Sequence, residues 1–435
     1  MKVAFFTPVS PQKTGIADYS EQEILPYLSK FCDIDIFIDE DVKPSEKKLI
    51  KNFNIYPYSD FPSLEKNYDI PIYQMGNNPL HRFVYDTLIQ YPGIVVLHDI
   101  FLHGFLWNIS LCQGDHKKYI DMFEYCYGKK GVRIAQIAVS TGVFPEFEYP
   151  LIKKIIDKSL GVVSHSEYGI NLIMKENRES IVRKINQPYT VLNEEGKMNY
   201  DSKIKTGFKL TKFFPIISSF GYIFPHKRFN FILKSFKRFL ERYPDAVLIL
   251  VGEDMMNVNR LITNLGLTKS VIQTGFISHL QAQQYLDVSD FCINLRYPTA
   301  GETSRSVLQI MASQKPVIVS NVGWFSELPD DSCLKVNVDE FEEETLLEYM
   351  VALASNEKFN NTIGKKAREY IIKQHNPDKI AHEYYSFIKN IVDCNECIMN
   401  NMSGGLYEIG INENDDLLIK YPFNKSLCIF FKRYN

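Results

Sequence analysis

Two successive series of short apolar runs, each run separated from the next by a helix-length stretch, constrain this chain more than any other feature. In the first half, KVAFFT (2–7), DIDIFI (33–38), IPIYQM (70–75), GIVVLHD (93–99) and LGVVSHS (160–166) read as buried strands. In the second half, FPIISSFG (214–221), AVLILVG (246–252), SVIQTG (270–275), DFCINL (290–295) and PVIVS (316–320) repeat the pattern. Near-continuous apolar runs of this length suit parallel strands covered on both faces. Helical periodicity fills the gaps, as at 229–242 and 279–288, and the stretch 100–158 is mostly helical in pattern. Strands alternating with helices imply right-handed crossovers and a parallel sheet. Two such series predict an α/β protein with two Rossmann-like, doubly wound domains, which a length of 435 residues accommodates. The expected domains are 1–200 and 201–375, divided near the polar stretch NEEGKMNYDSKIKTGFKLTK (193–212). A helix at 376–393 follows, and then an extension at 394–435 with SGG and NENDD to which no role is assigned.

Composition excludes several function classes. Forty-nine Lys and Arg against 52 Asp and Glu leave a net charge of −3, so no basic field calls for nucleic acid. No apolar stretch is long enough to span a membrane as a helix, and MKVAFFTPVS is too short an apolar run for a secretory signal. Cys32, Cys126 and Cys292 sit among apolar or aromatic neighbours and read as reduced core thiols. The expected location is the cytoplasm, with peripheral association at the inner face of the membrane compatible with it. Cys394 and Cys397 form a lone CxxC with no second ligand pair, which reads as chance.

In open α/β sheets ligands sit beyond the carboxyl ends of the strands, so the loops there carry the candidates. After the first strand comes Thr14-Gly15-Ile16-Ala17-Asp18-Tyr19-Ser20, where Gly15 lets the backbone approach a ligand or simply makes a turn. His98 and Asp99 end the strand GIVVL, with His103 five residues further on. An imidazole at a strand's carboxyl end can hydrogen-bond a ligand hydroxyl. The spacing lacks a clear third metal ligand. His165 ends the next strand and is a weaker candidate, and Ser166 reads as a helix cap. In the second half, Lys227 and Arg228 form a cationic pair at a helix entry, a good site for a diphosphate. Gly301-Glu302-Thr303-Ser304 enters another helix, offering N–H groups to an anion and a carboxylate to hydroxyls; either Thr303 or Ser304 also serves as cap. Asp33 and Asp35 resemble a metal-binding DxD, but they begin a strand rather than end one and read as structural. No phosphate loop of the form GxxxxGK[ST] and no GxSxG elbow is present.

Taken in order, TGIADYS (14–20), YQMGNNPLH (73–81), VLHDIFLH (96–103), SHSEYG (164–169), FGYIFPHKR (220–228), RYPTAGETS (296–304) and KPVIVSNVGWFSELPD (315–330) resemble the retaining glycosyltransferases of family 4. The likeness covers roughly residues 1–390 and is strongest to a bacterial mannosyl- or rhamnosyltransferase-like subgroup. It implies the GT-B fold, two domains facing a cleft, with residues 376–393 packing back on the N-terminal domain. The N-terminal domain would hold the acceptor through Asp18, Tyr19, Asp99 and His103. The C-terminal domain would hold a nucleotide sugar through Lys227, Arg228, Gly301, Glu302, Thr303, Ser304 and Gln309, with Gly15 adding to the donor site. His98, Glu302 and Lys227 are the implied catalytic residues. Two positions depart from the family pattern. The Arg that usually precedes the diphosphate-binding Lys is Tyr222, which leaves Arg228 as its expected replacement. The Glu-x7-Glu hallmark aligns on Gly301 and Gln309, with Glu302 one step late.

The implied reaction is transfer of a hexose with retention to a glycan or lipid-linked acceptor in cell-surface polysaccharide synthesis. No cofactor and no metal are expected. The competing readings are a sugar-nucleotide epimerase or hydrolase on the same fold, and an inactive, partner-binding paralogue.

Overall fold

The structure, a computed structural model, describes the backbone of residues 1–191 and 201–408 and the side chains of 1–191 and 204–394. The chain divides into two compact units. Unit 1 comprises Met1–Pro188, Ala300–Glu302 and the chain from Pro377 onward; unit 2 comprises Tyr189–Thr299 and Thr303–Asn376.

Unit 1 is built on a seven-stranded parallel sheet in the order β3-β2-β1-β4-β5-β6-β7. Its strands are β1 (Lys2–Phe6), β2 (Asp33–Ile38), β3 (Asn54–Pro57), β4 (Ile70–Met75), β5 (Ile94–Leu97), β6 (Gly161–Ser164) and β7 (Val182–Lys184). β1 is central, with Val3–Phe6 in register with Ile34–Phe37 on one side and Ile70–Tyr73 on the other. Because successive side chains point to opposite faces, each strand feeds two cores. Ala4, Phe6, Phe37, Tyr73 and Val95 pack on one face, and Val3, Phe5, Ile36, Ile72 and Ile94 on the other. That double burial is why the strands read as continuous apolar runs rather than alternating ones.

The second face is closed by the helix Pro377–Glu408, which extends past the expected 376–393. Ile380, Ala381, Tyr384, Phe387, Ile388 and Ile391 recur on one helical stripe and join the core around Val3 and Phe5. Each large buried apolar side chain among them contributes roughly 1.5–3 kcal/mol, so unit 1 is sealed by chain from the far end of the sequence.

Unit 2 is built on a six-stranded parallel sheet in the order β10-β9-β8-β11-β12-β13. Its strands are β8 (Ile216–Phe220), β9 (Val247–Val251), β10 (Val271–Gly275), β11 (Phe291–Asn294), β12 (Val317–Ser320) and β13 (Leu334–Val336). Both sheets are doubly wound. The direction of strand addition reverses between β1 and β4 in unit 1, and between β8 and β11 in unit 2.

The sequence pattern misses three strands, β3 (NIYP), β7 (VRK) and β13 (LKV). All are short edge strands, and β3 and β7 are only partly buried, so none carries an unbroken apolar run. The extension beyond residue 408 lies outside the described residues. Among those described, no helix is long and apolar enough to cross a membrane.

Candidate active-site residues

Unit 1 gathers imidazoles at the carboxyl ends of β4, β5 and β6. His98 follows β5 directly, and its backbone N–H donates to Met75 O at 2.9 Å. Its Nε2 lies 2.8 Å from Gln74 Oε1, an atom that only accepts. The ring therefore carries its proton on Nε2 and keeps Nδ1 as an acceptor. The His98 ring packs 4.7 Å from Tyr19 and 5.0 Å from His165, centroid to centroid. His165 donates from Nδ1 to Ile185 O at 2.7 Å, and His81 donates from Nδ1 to Gln74 O at 2.8 Å. The Nε2 atoms of His81 and His165 are buried with no hydrogen-bond partner.

Three imidazoles crowded this way cannot all charge. Burial pulls the pKa of His98 well below the ordinary histidine value, and the nearby His165 and His81 add to the shift. Burial lowers His165 and His81 to about 4, against the opposing effect of their carbonyl partners. His98 is thus a neutral hydrogen-bonding group at neutral pH rather than a cation.

The other residues expected in this unit divide. Asp99 accepts the Asn77 backbone N–H at 2.7 Å. Gly76 is the glycine that space requires here: a Cβ on it would fall 2.4 Å from Ile16 Cδ1 and 3.1 Å from His81 Nε2. A Cβ at Gly15 meets nothing within 4 Å, so the protein itself gives Gly15 no steric reason to be glycine. Asp18 is half-buried in the four-residue helix Gly15–Asp18, capped by Thr14. Two expected acceptor contacts are packed inside the unit instead. Tyr19 is fully buried, with its hydroxyl 2.8 Å from that of Tyr384. His103 is buried, its Nε2 lies 2.9 Å from the Tyr119 hydroxyl, and burial lowers it to about 4. Asp35 is structural as expected from its place in β2: it receives Asn54, Tyr68 and the Lys2 ammonium.

In unit 2, Lys227 closes a short turn after β8 and is 5% exposed. Its ammonium donates to Phe220 O, the last carbonyl of β8, at 2.9 Å. Gly221 makes room for it. The φ of Gly221 is 94°, and a Cβ there would fall 2.7 Å from Lys227 Nζ. Gly221→Ala should therefore cost roughly 1–2 kcal/mol in a urea melt through the strained backbone. It should also lower turnover, since the ammonium must move; unchanged turnover would show that the position of Nζ is not critical.

Arg228 departs from expectation. Its guanidinium is engaged two-pronged by the buried carboxylate of Glu342, with Nε donating to Oε1 at 2.5 Å and Nη2 to Oε2. Its Cζ also stacks 3.9 Å from the Phe231 ring centroid. Desolvating a carboxylate this fully demands a partner, and Arg228 supplies it. Gln309 is half-buried and donates to Gln283 Oε1 at 3.2 Å.

Ser304 caps the helix Arg305–Ala312 by accepting the Val307 N–H, and Thr303 Oγ1 is buried with no hydrogen-bond partner. Gly301 has φ 78°, a left-handed conformation that favours glycine, and Glu302 beside it is half-buried. Cys394 is exposed, and the Cys397 side chain lies outside those described. Among the described residues no cluster of three or more His, Cys, Asp or Glu could hold a metal ion.

Residues 202–370, which make up most of unit 2, match the family model "Glycosyl transferases group 1". Unit 2 carries a glycosyltransferase group 1 domain. The protein is thereby read as a glycosyltransferase, and solved structures agree with that in fold. Sucrose-phosphate synthase from Thermosynechococcus elongatus is similar at TM-score 0.64 and 16% identity, covering 91% of this chain and 100% of that one. The Anabaena HepE protein in complex with UDP-glucose is similar at TM-score 0.61 and 15% identity, over 90% and 100% of the two chains. WaaG, a glycosyltransferase involved in lipopolysaccharide biosynthesis, is similar at TM-score 0.58 and 12% identity, over 89% and 99%. No curated protein matches the chain by sequence. The fold is therefore the pair of parallel-sheet, Rossmann-like domains found in GT-B glycosyltransferases.

Proposed function

We propose that this glycosyltransferase moves a hexose from a nucleotide-diphosphate sugar to a glycan or lipid-linked acceptor in cell-surface polysaccharide synthesis, with retention at the anomeric carbon. The observation that carries the reading is the buried ammonium of Lys227 at the carboxyl end of β8, at the strand-order reversal of the group 1 domain. A buried cation at the switch point of a doubly wound sheet suits an anionic nucleotide. The nucleotide sugar held by the Anabaena HepE structure supports the same donor class. Mannose or rhamnose is the hexose that the family resemblance suggests.

In this mechanism Lys227 stabilises the negative charge that develops on the leaving diphosphate. That leaving phosphate takes the acceptor proton, so the reaction needs no separate general base. Neutral His98, fixed in one tautomer by Gln74, acts on the sugar by hydrogen bonding, and Glu302 binds sugar hydroxyls. No cofactor takes part, and association with the inner face of the membrane would give access to a lipid-linked acceptor.

A thermal-shift panel of UDP-, GDP-, dTDP- and ADP-sugars tests the reading, because a ligand that binds only the folded state stabilises it by mass action. One nucleotide family should raise the melting temperature, and no shift with any of them would contradict the proposal. Since protein cations meet the diphosphate charge in this account, turnover should persist in EDTA. Complete loss in EDTA, restored by manganese, would show that a carboxylate-held metal neutralises the diphosphate instead.

A further inference from the structure

A nucleoside diphosphate carries more charge than one ammonium can balance, and the two positions that sequence offers for a second cation do not supply it. Tyr222 has no charge, and the Arg228 fork is taken by Glu342. We propose that Arg296 is the second diphosphate-binding cation, held beside Lys227 by His226; this rests on the nucleotide-sugar reading and deepens it.

Arg296 lies two residues past the end of β11, and Lys227 lies in the turn after β8. β8 and β11 are neighbours, and the order of the sheet reverses between them. In a doubly wound sheet that reversal opens the crevice where nucleotides bind. The two strand-end loops are tied together at His226. The Tyr297 N–H donates to His226 O at 2.7 Å, and Arg296 Nη1 lies 2.7 Å from His226 Nε2. A guanidinium only donates, so Nε2 accepts and the imidazole is neutral with its proton on Nδ1. On the other side, the Arg296 N–H donates to Ser320 Oγ at 2.9 Å, fixing the backbone against the end of β12.

Arg296 is 9% exposed and Lys227 is 5% exposed. Both cations sit at the ends of adjacent strands, so an anion of two phosphates bound there would meet both charges. A planar fork beside a point charge also matches the shape of a diphosphate: the guanidinium spans two oxygens while the ammonium meets a third. His226 is a positioning residue in this scheme.

The test compares nucleoside diphosphates with monophosphates. UDP, GDP, dTDP and ADP and their monophosphates are titrated by calorimetry into the full chain, wild type, Arg296→Ala and Arg296→Lys, with unliganded melting temperatures recorded. In wild type, one diphosphate should bind more tightly than its monophosphate. If none of the four diphosphates binds wild type, the nucleotide-sugar reading fails, and this inference with it. If one binds, Arg296→Ala should weaken it by about 10- to 100-fold, as expected for a lost charged hydrogen-bond donor, while the monophosphate is little affected.

Arg296→Lys keeps the charge but loses the fork, and it should show a smaller loss confined to the diphosphate. This second variant carries the test if Arg296→Ala does not fold. Wild-type diphosphate affinity in either folded variant, or equal losses for diphosphate and monophosphate, overturns the assignment to Arg296 while leaving the nucleotide-sugar reading in place.

Discussion

Lys227→Ala lowers turnover by about 100-fold or more and leaves the protein folded, the usual consequence of removing a positioned donor to a developing charge. The ammonium is almost fully buried yet hydrogen-bonds a strand-end carbonyl, Phe220 O. Burying an ammonium carries a desolvation cost that offsets much of what its hydrogen bonds contribute to the fold. Replacing it should therefore cost little stability, and the urea midpoint of the variant should stay near that of wild type. The loss should appear mainly in kcat, because the charge on the leaving diphosphate grows toward the transition state. Wild-type turnover in a folded Lys227→Ala protein would remove this residue from the site.

Stability to urea falls steeply as pH drops from about 6.5 to 5, the widest effect expected of the protein. His81, His165 and His103 are buried, and burial lowers each to about 4, against an ordinary value of 6.5. Above pH 6.5 both folded and unfolded states hold these rings neutral, so they make no difference. Below it the unfolded chain takes up protons that the folded chain refuses, and stability must fall with pH. By pH 5 each ring should cost about 2 kcal/mol, so three together approach the whole stability of an ordinary domain. His98 adds in the same direction. Most carboxylates titrate below this window; burial raises Glu21 and Glu176, whose protonation acts in the opposite direction, so it is the comparison with a histidine variant that isolates the imidazole. The check is a series of urea melts at fixed ionic strength for wild type and His81→Asn, whose slope against pH should be shallower. A flat wild-type profile between pH 6.5 and 5 would mean that these rings are not buried neutral.

The strands were legible because burial on both faces of a parallel sheet writes an unbroken apolar run. DIDIFI and IPIYQM match β2 and β4 residue for residue. Edge strands such as β7 (VRK) lack that signal, because half of their surface faces solvent. The placement of Lys227 and His98 beyond strand ends is legible because loops that follow apolar runs must lie at the carboxyl edge of the sheet.

What the sequence could not show was which charges cancel. Arg228 and Glu342 lie 114 positions apart and read as separate surface charges until the fold joins them. Tyr19 looked like a loop residue free to meet an acceptor, but its partner Tyr384 arrives from the C-terminal helix. Gln74 carries a signal in the sequence: it is the one strongly polar residue in an otherwise apolar strand, and it sets the His98 tautomer. Arg296 stood inside a recognised segment, yet nothing in its spacing ties it to His226.

The central claim is that the chain transfers a sugar from a nucleotide donor, and the most direct measurement follows that sugar. The purified full chain is incubated with radiolabelled UDP-, GDP-, dTDP- and ADP-sugars in turn, with and without a bacterial lipid-linked glycan extract, and the label is tracked through nucleotide, free-sugar and glycolipid fractions. The account predicts that label from one donor passes into the glycolipid fraction only when extract is present, with the donor's anomeric configuration kept, and that Lys227→Ala suppresses the transfer. Label that stays on the nucleotide with every donor, or emerges as free or epimerised sugar whether or not extract is added, would contradict it.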